Sequence, residues 1–258
     1  MATRDWDART YAALPLPHVN WGLRVISRMR LTGSERVLDA GCGTGRDAAE
    51  LLSRHPGLDL IGIDGSASMI DQARERLGDR ATLLVADLTE PLPIAAVDAV
   101  MSVATFHWIT DHAALFANLA SAMRPGALLT SDCGGAGQLA NVDAALVAVT
   151  GQPKQDIVFA GMAATEANLK GAGFDVERVD LRPDPLRLED PELLERYLGA
   201  VCLGGYLKTL PAAEHADFLR VDPAAAGHPE GRQRCQRVPA RAVVGLSLIH
   251  ISEPTRPY

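Results

Sequence analysis

The chain is poor in cysteine, and the four present make no recognisable site. Cys42, Cys133, Cys202 and Cys235 form no C-x-x-C pair and no disulfide-framework spacing. Long hydrophobic runs are also missing: although 47% of the 258 residues are hydrophobic, no stretch approaches the roughly 20 apolar residues of a membrane span. The first residues, Met1 to Asp7, lack the apolar segment of a secretory signal. The expected location is therefore cytoplasmic, with no membrane partner. A basic surface is lacking too. A net charge of −7 leaves no electropositive face for a phosphate backbone, so no nucleic-acid partner is expected. What remains is the composition of an ordinary globular protein, long enough for one sizeable core.

The informative stretch is Val37 to Gly45. Val37 and Leu38 start a buried strand, and Gly41, Gly43 and Gly45 then break it into a tight loop. Ala48, Leu51 and Leu52 follow at the offsets of an amphipathic helix. Strand, glycine loop and helix together open a nucleotide-binding α/β fold. A phosphate loop needs a Lys after its last glycine, and none follows Gly45. A dinucleotide fingerprint, G-x-G-x-x-G, places its third glycine one residue later than here. Asp39, two residues before the first glycine, suits a cationic ligand group better than a phosphate, because like charges repel. An ammonium with a sulfonium meets that demand.

Two further strands end in acids. Residues 58–64 read as a buried strand closing on Asp64, 25 positions after Asp39 and close to the offset of a ribose-binding carboxylate. Residues 81–87 read as a third strand closing on Asp87, whose carboxylate could instead cap the following turn. Residues 97–104 and 127–133 supply a fourth and a fifth strand, with a helix over 113–123 between them, and residues 174–181 alternate as a sixth.

These motifs resemble those of the class I S-adenosylmethionine-dependent methyltransferases, whose first motif is an acidic residue, a small residue and G-x-G-x-G. The resemblance runs from about Trp6 to Leu219 and is strongest toward trans-aconitate methyltransferase relatives, on Trp6, the cofactor motifs, the run Phe106 to Ile109, and Pro125 with Gly126. It implies an α/β fold: a Rossmann-like doubly wound sheet with helical cover over the cleft. It implies S-adenosyl-L-methionine as cofactor, with S-adenosyl-L-homocysteine as product. The implied cofactor residues are Asp39, Gly41, Cys42, Gly43, Asp64, Gly65, Met69, Asp87, Leu88 and Ala104. His107 and Trp108 are the acceptor-side candidates, and Trp6 and Tyr11 candidates for covering the cofactor. Met69 could equally be plain core, and Trp6 and Tyr11 plain packing anchors.

The implied activity is methyl transfer to a small molecule, leaning to O-methylation of a small carboxylic acid, by a monomer or weak homodimer. A carboxylate acceptor needs no base, whereas a phenol or alcohol would, and His107 is then the candidate. A packed, hydrogen-bonded histidine is the alternative. His107, Asp111 and His112 do not converge on one helix face, so no metal is expected. Cys42 has no neighbouring base and is not expected to be a nucleophile. Two other functions stay open: a non-catalytic binder of the same cofactor and, less in keeping with the loop, an NAD-dependent oxidoreductase.

The expected organisation is an N-terminal helical cover over 1–33, a cofactor domain over 34–185 with an insertion at 138–160, and a helical cap over 186–220. Residues 221–258 are atypical. They carry five basic and three acidic residues against 20 and 29 before them, and they lack periodicity. Residues 248–258 look like translated sequencing adapter. The expectation is a reading frame lost near Arg220; the alternative is that 243–249 supply a seventh strand.

Overall fold

The structure is a computed structural model and describes residues 18–152, 156–186, 188, 190–219 and 244–252. Trp6, Tyr11 and the segment 220–243 lie outside the described residues. Contacts divide the chain into two compact units, one of residues 1–136, 158–182 and 248–258, the other of 137–157 and 183–247.

The first unit is built on a seven-stranded sheet. Its strands are β1 (Arg36–Ala40), β2 (Asp59–Asp64), β3 (Thr82–Val85), β4 (Val97–Val103), β5 (Met123–Gly134), β6 (Arg178–Leu186) and β7 (Val244–Ser252), in the order β3-β2-β1-β4-β5-β7-β6. β1 pairs in parallel with β2 and β4, β2 with β3, and β4 with β5. Val37, Leu38, Ile63, Val100 and Leu129 are fully buried along the central strands, as the apolar runs of a sheet covered on both faces require. The helices are α1 (His18–Arg28), α2 (Arg46–Arg54), α3 (Ala67–Leu77), α4 (His112–Ala122) and α6 (Met162–Gly171), with α5 (Ala140–Thr150) in the second unit. Ser66 caps α3 and Asp111 caps α4, each accepting an amide of the first turn. α1 buries Trp21, Val25 and Ile26, which the i, i+4 and i+5 offsets place on one helix face.

Several boundaries differ from expectation. β3 ends at Val85, so Asp87 sits two residues beyond the strand. β5 starts at Met123, ahead of Pro125 and Gly126, because Met123 pairs with Val97 before the register shifts. The sixth strand starts at Arg178 rather than 174. Phe174 donates its amide to Leu169 at the end of α6 and sets its ring against Phe116, at 6.4 Å between centroids. Its apolar character therefore serves the core and not a strand face. β7 pairs antiparallel with β5, Ser131 opposite Ile251 and Gly134 opposite Leu248.

The second unit is helical, with α5, α7 (Pro191–Tyr197), a π-turn over Leu198–Cys202, α8 (Gly204–Leu207) and α9 (His215–Leu219). Asp190 caps α7, and Pro191 opens it with the one residue that has no amide to leave unpaired. Leu194, Tyr197, Leu198, Cys202 and Leu207 form its buried face.

Candidate active site

The strand order reverses between β1 and β4. In an open α/β sheet the connections leave on opposite faces at such a point and open a crevice at the carboxyl ends of the strands. The loop after β1 and the turn after β4 both emerge there.

The glycine loop is shaped by backbone constraints. Gly41 has φ +80°, and a Cβ there would run into the Thr105 side chain. Gly43 has φ +52° and open space where a Cβ would stand, so a ligand can approach its backbone closely. The amides of Gly41 and Cys42 donate to the Ile63 carbonyl at 2.8 and 3.0 Å, and that of Gly43 to Asp64 Oδ2 at 2.9 Å. The loop is thus tied to the end of β2.

Asp39 is 2% exposed, and its Oδ2 has no hydrogen-bond partner among the described residues. Burial pushes its carboxyl well above the ordinary range, and the charges of Asp47 and Asp64 push it further, with Arg46 offsetting part of this. Asp64 is raised by burial, while the amides of Ser66 and Gly43 pull it back. Asp47 is raised by burial, against the hydrogen bonds and charge of Arg46. Asp39 thus feels two other acids, and a cation or a strong donor reaching it would relieve that repulsion. Burial, with Asp39 and Asp64 beside it, raises the Cys42 thiol as well. Its surroundings favour the protonated thiol, the weaker nucleophile.

The other expected residues divide. Each Asp64 oxygen accepts one amide, Oδ1 from Ser66 and Oδ2 from Gly43, both at 2.9 Å, which leaves lone pairs for two hydroxyls. Gly65 is half-buried beside it. Met69 and Leu88 are buried. Asp87 Oδ1 accepts from the Thr89 amide at 2.9 Å and its hydroxyl at 2.7 Å. This oxygen closes a turn, the alternative role weighed for this residue. Ala104 has φ +56°, a conformation that costs an L-residue about 1–3 kcal/mol. Its amide donates to the Asp132 carbonyl at 2.8 Å, and Thr105 Oγ1 donates to the Gly41 carbonyl at 3.2 Å. Strain at the mouth of β4 is thus held from both neighbouring strands.

His107 is 4% exposed in a 3-10 turn, Phe106–Trp108. Its Nδ1 accepts the Gly134 amide at 3.0 Å, so the packed, hydrogen-bonded alternative describes it better than a base with a lone pair to spare. Trp108 stands 5.1 Å from it, centroid to centroid.

One cluster escaped the sequence reading. Asp132, fully buried on β5, accepts from Arg24 Nε at 3.1 Å and Arg28 Nη1 at 3.0 Å, and Arg182 Nη2 stands 3.8 Å away. Its partners lie 108 and 104 positions away, and only their i, i+4 spacing on α1 hinted that they act together.

Residues 37–126 match the family model described as a methyltransferase domain. Over these residues the chain is thus similar to a methyltransferase domain. The chain is 33% identical over 125 residues to the trans-aconitate 2-methyltransferase of Acidovorax sp. (strain JS42), covering 48% of each protein. An Escherichia coli protein of the same name is 33% identical over 125 residues, 48% of this chain and 49% of that one. The chain thus spans about half the length of the curated relatives it matches. In fold, it is similar to a chain of the complex between the Haloferax volcanii Trm112 methyltransferase activator and a methyltransferase. The TM-score is 0.61 at 19% identity, over 97% of this chain and 95% of that one. Among the described residues no helix is long and apolar enough to cross a membrane.

Proposed function

We propose that the protein transfers a methyl group from S-adenosylmethionine to a small molecule, and that the acceptor is a carboxylic acid. The observation that carries the donor half is the buried Asp39 Oδ2 without a partner, set among Asp47 and Asp64 at the glycine loop. A positively charged donor satisfies it, whereas the pyrophosphate of a dinucleotide would add repulsion. Asp64 holds the ribose hydroxyls with the lone pairs its two amide bonds leave over, and the bare Gly43 backbone lets the ligand lie against the loop. Leu88 and Met69 frame the adenine, and the Ala104 backbone borders the methionine portion. When bound, the cofactor supplies a methyl group activated by its sulfonium. The chain's own task is to hold the acceptor oxygen in line, and orientation of this kind contributes about 7–11 kcal/mol to such reactions. The acceptor half is supported by the relatives named for trans-aconitate methylation.

Calorimetry with S-adenosylhomocysteine, followed by transfer of labelled methyl to trans-aconitate, other small acids and phenols, tests the proposal. Binding with base-labile methyl ester formed on an acid is the expected result. Absence of heat with both donor and product would overturn it.

A further inference from the structure

The turn after β4 is clamped more heavily than a connecting turn requires. Ala104 donates to Asp132 on β5, and His107 Nδ1 accepts the Gly134 amide at the end of the same strand. The His107 carbonyl accepts the Val158 amide at 2.8 Å, and its ring stacks on Phe159 with centroids 5.7 Å apart and planes 29° from parallel. His112 Nε2 donates to the Phe106 carbonyl at 2.9 Å from the other side. An imidazole whose Nδ1 accepts a backbone N–H carries its proton on Nε2. Such a ring offers a donor. To take a proton it must first release Gly134, leaving a buried amide unpaired.

We infer that His107 is a positioning residue that fixes the turn 104–108 against the end of β5, and that the site methylates an oxygen already ionised at neutral pH, with no imidazole base. This rests on the methyltransferase reading above and on its carboxylate acceptor, from which no proton need be removed at neutral pH. The atoms balance without a proton. The acceptor oxygen supplies the electron pair of the new C–O bond, and the pair of the broken C–S bond stays on sulfur as a neutral thioether.

The experiment compares the full chain with His107→Asn, whose side-chain oxygen can accept the Gly134 amide in place of Nδ1, and with His107→Ala. Nitrogen-15 NMR of labelled histidine in the wild type reads the tautomer directly. The expected result is an unprotonated Nδ1 on His107. On small carboxylic acids His107→Asn should keep kcat within about threefold, and His107→Ala should lose about tenfold or more through misplacement. KM for the donor and the shape of the pH profile should change in neither. A protonated Nδ1 would overturn the inference. So would a loss of about a hundredfold or more in His107→Asn with one limb of the pH profile gone, the size and signature of a lost general base. Transfer confined to phenols would overturn it as well. Failure of the wild type to bind S-adenosylhomocysteine would remove the methyltransferase reading, whereas each of the preceding outcomes leaves that reading standing.

Discussion

Asp39 and Asp132 are both buried aspartates near the carboxyl ends of β1 and β5, the parallel strands on either side of β4, at 2% and 0% exposure, and the strand registers put them on one face of the sheet. Their surroundings are opposite. Asp132 is gripped by Arg24 and Arg28, with Arg182 close by. Asp39 keeps one oxygen without a partner among the described residues and has Asp47 and Asp64 as electrostatic neighbours. A buried charge is tolerated where it is paired and is costly where it is not. Asp132 therefore holds structure together, whereas Asp39 is the one that the proposed donor would satisfy.

Removing Asp132 should have the largest effect. Asp132→Ala leaves the arginines of α1 without their anchor and is expected to cost about 3–5 kcal/mol, seen as a lower midpoint in urea unfolding. A loss below 1 kcal/mol would make the cluster ornamental. Asp39→Asn should act in the other direction. A carboxyl whose folded pKa is raised contributes stability that is full below its ordinary value of 3.8 and lost as pH rises through the raised value. The substitution should therefore stabilise the ligand-free chain at pH 7 by about 1–3 kcal/mol, with the gain vanishing near pH 4, while weakening S-adenosylmethionine binding. Thermal melts across that pH range together with calorimetry check both signs.

The other pair to separate is Asp64 and Asp87. Asp64→Ala should weaken S-adenosylhomocysteine binding by about ten- to a hundredfold, the worth of hydrogen bonds to a charged group. Asp87→Ala should cost about 0.5–1.5 kcal/mol of stability through the lost Thr89 contacts. A change in affinity larger than threefold for Asp87→Ala would give its second oxygen a ligand role.

Much of the cofactor crevice was legible because it is local. Asp39 to Gly45 occupy seven consecutive positions, and the apolar runs of β1, β2 and β4 fix which strands are central. Asp87 was misplaced at a strand tip because the apolar run before it does not say where pairing stops; the pairing between β2 and β3 stops at Val85. Phe174 imitated the start of a strand because an apolar residue looks the same whether it faces a sheet neighbour or the core.

The sequence by itself determined the glycine loop, the acids near it and the order of strands and helices, since turn chemistry and hydrophobic period act over a few residues. Only the tertiary structure decided which aspartate meets arginines and which stays alone, and that Gly134, 27 positions away, takes up the His107 lone pair. Those choices depend on which strands become neighbours. Electrostatic and hydrogen-bond energies fall off with distance in space, and a chain read in one dimension does not contain that distance.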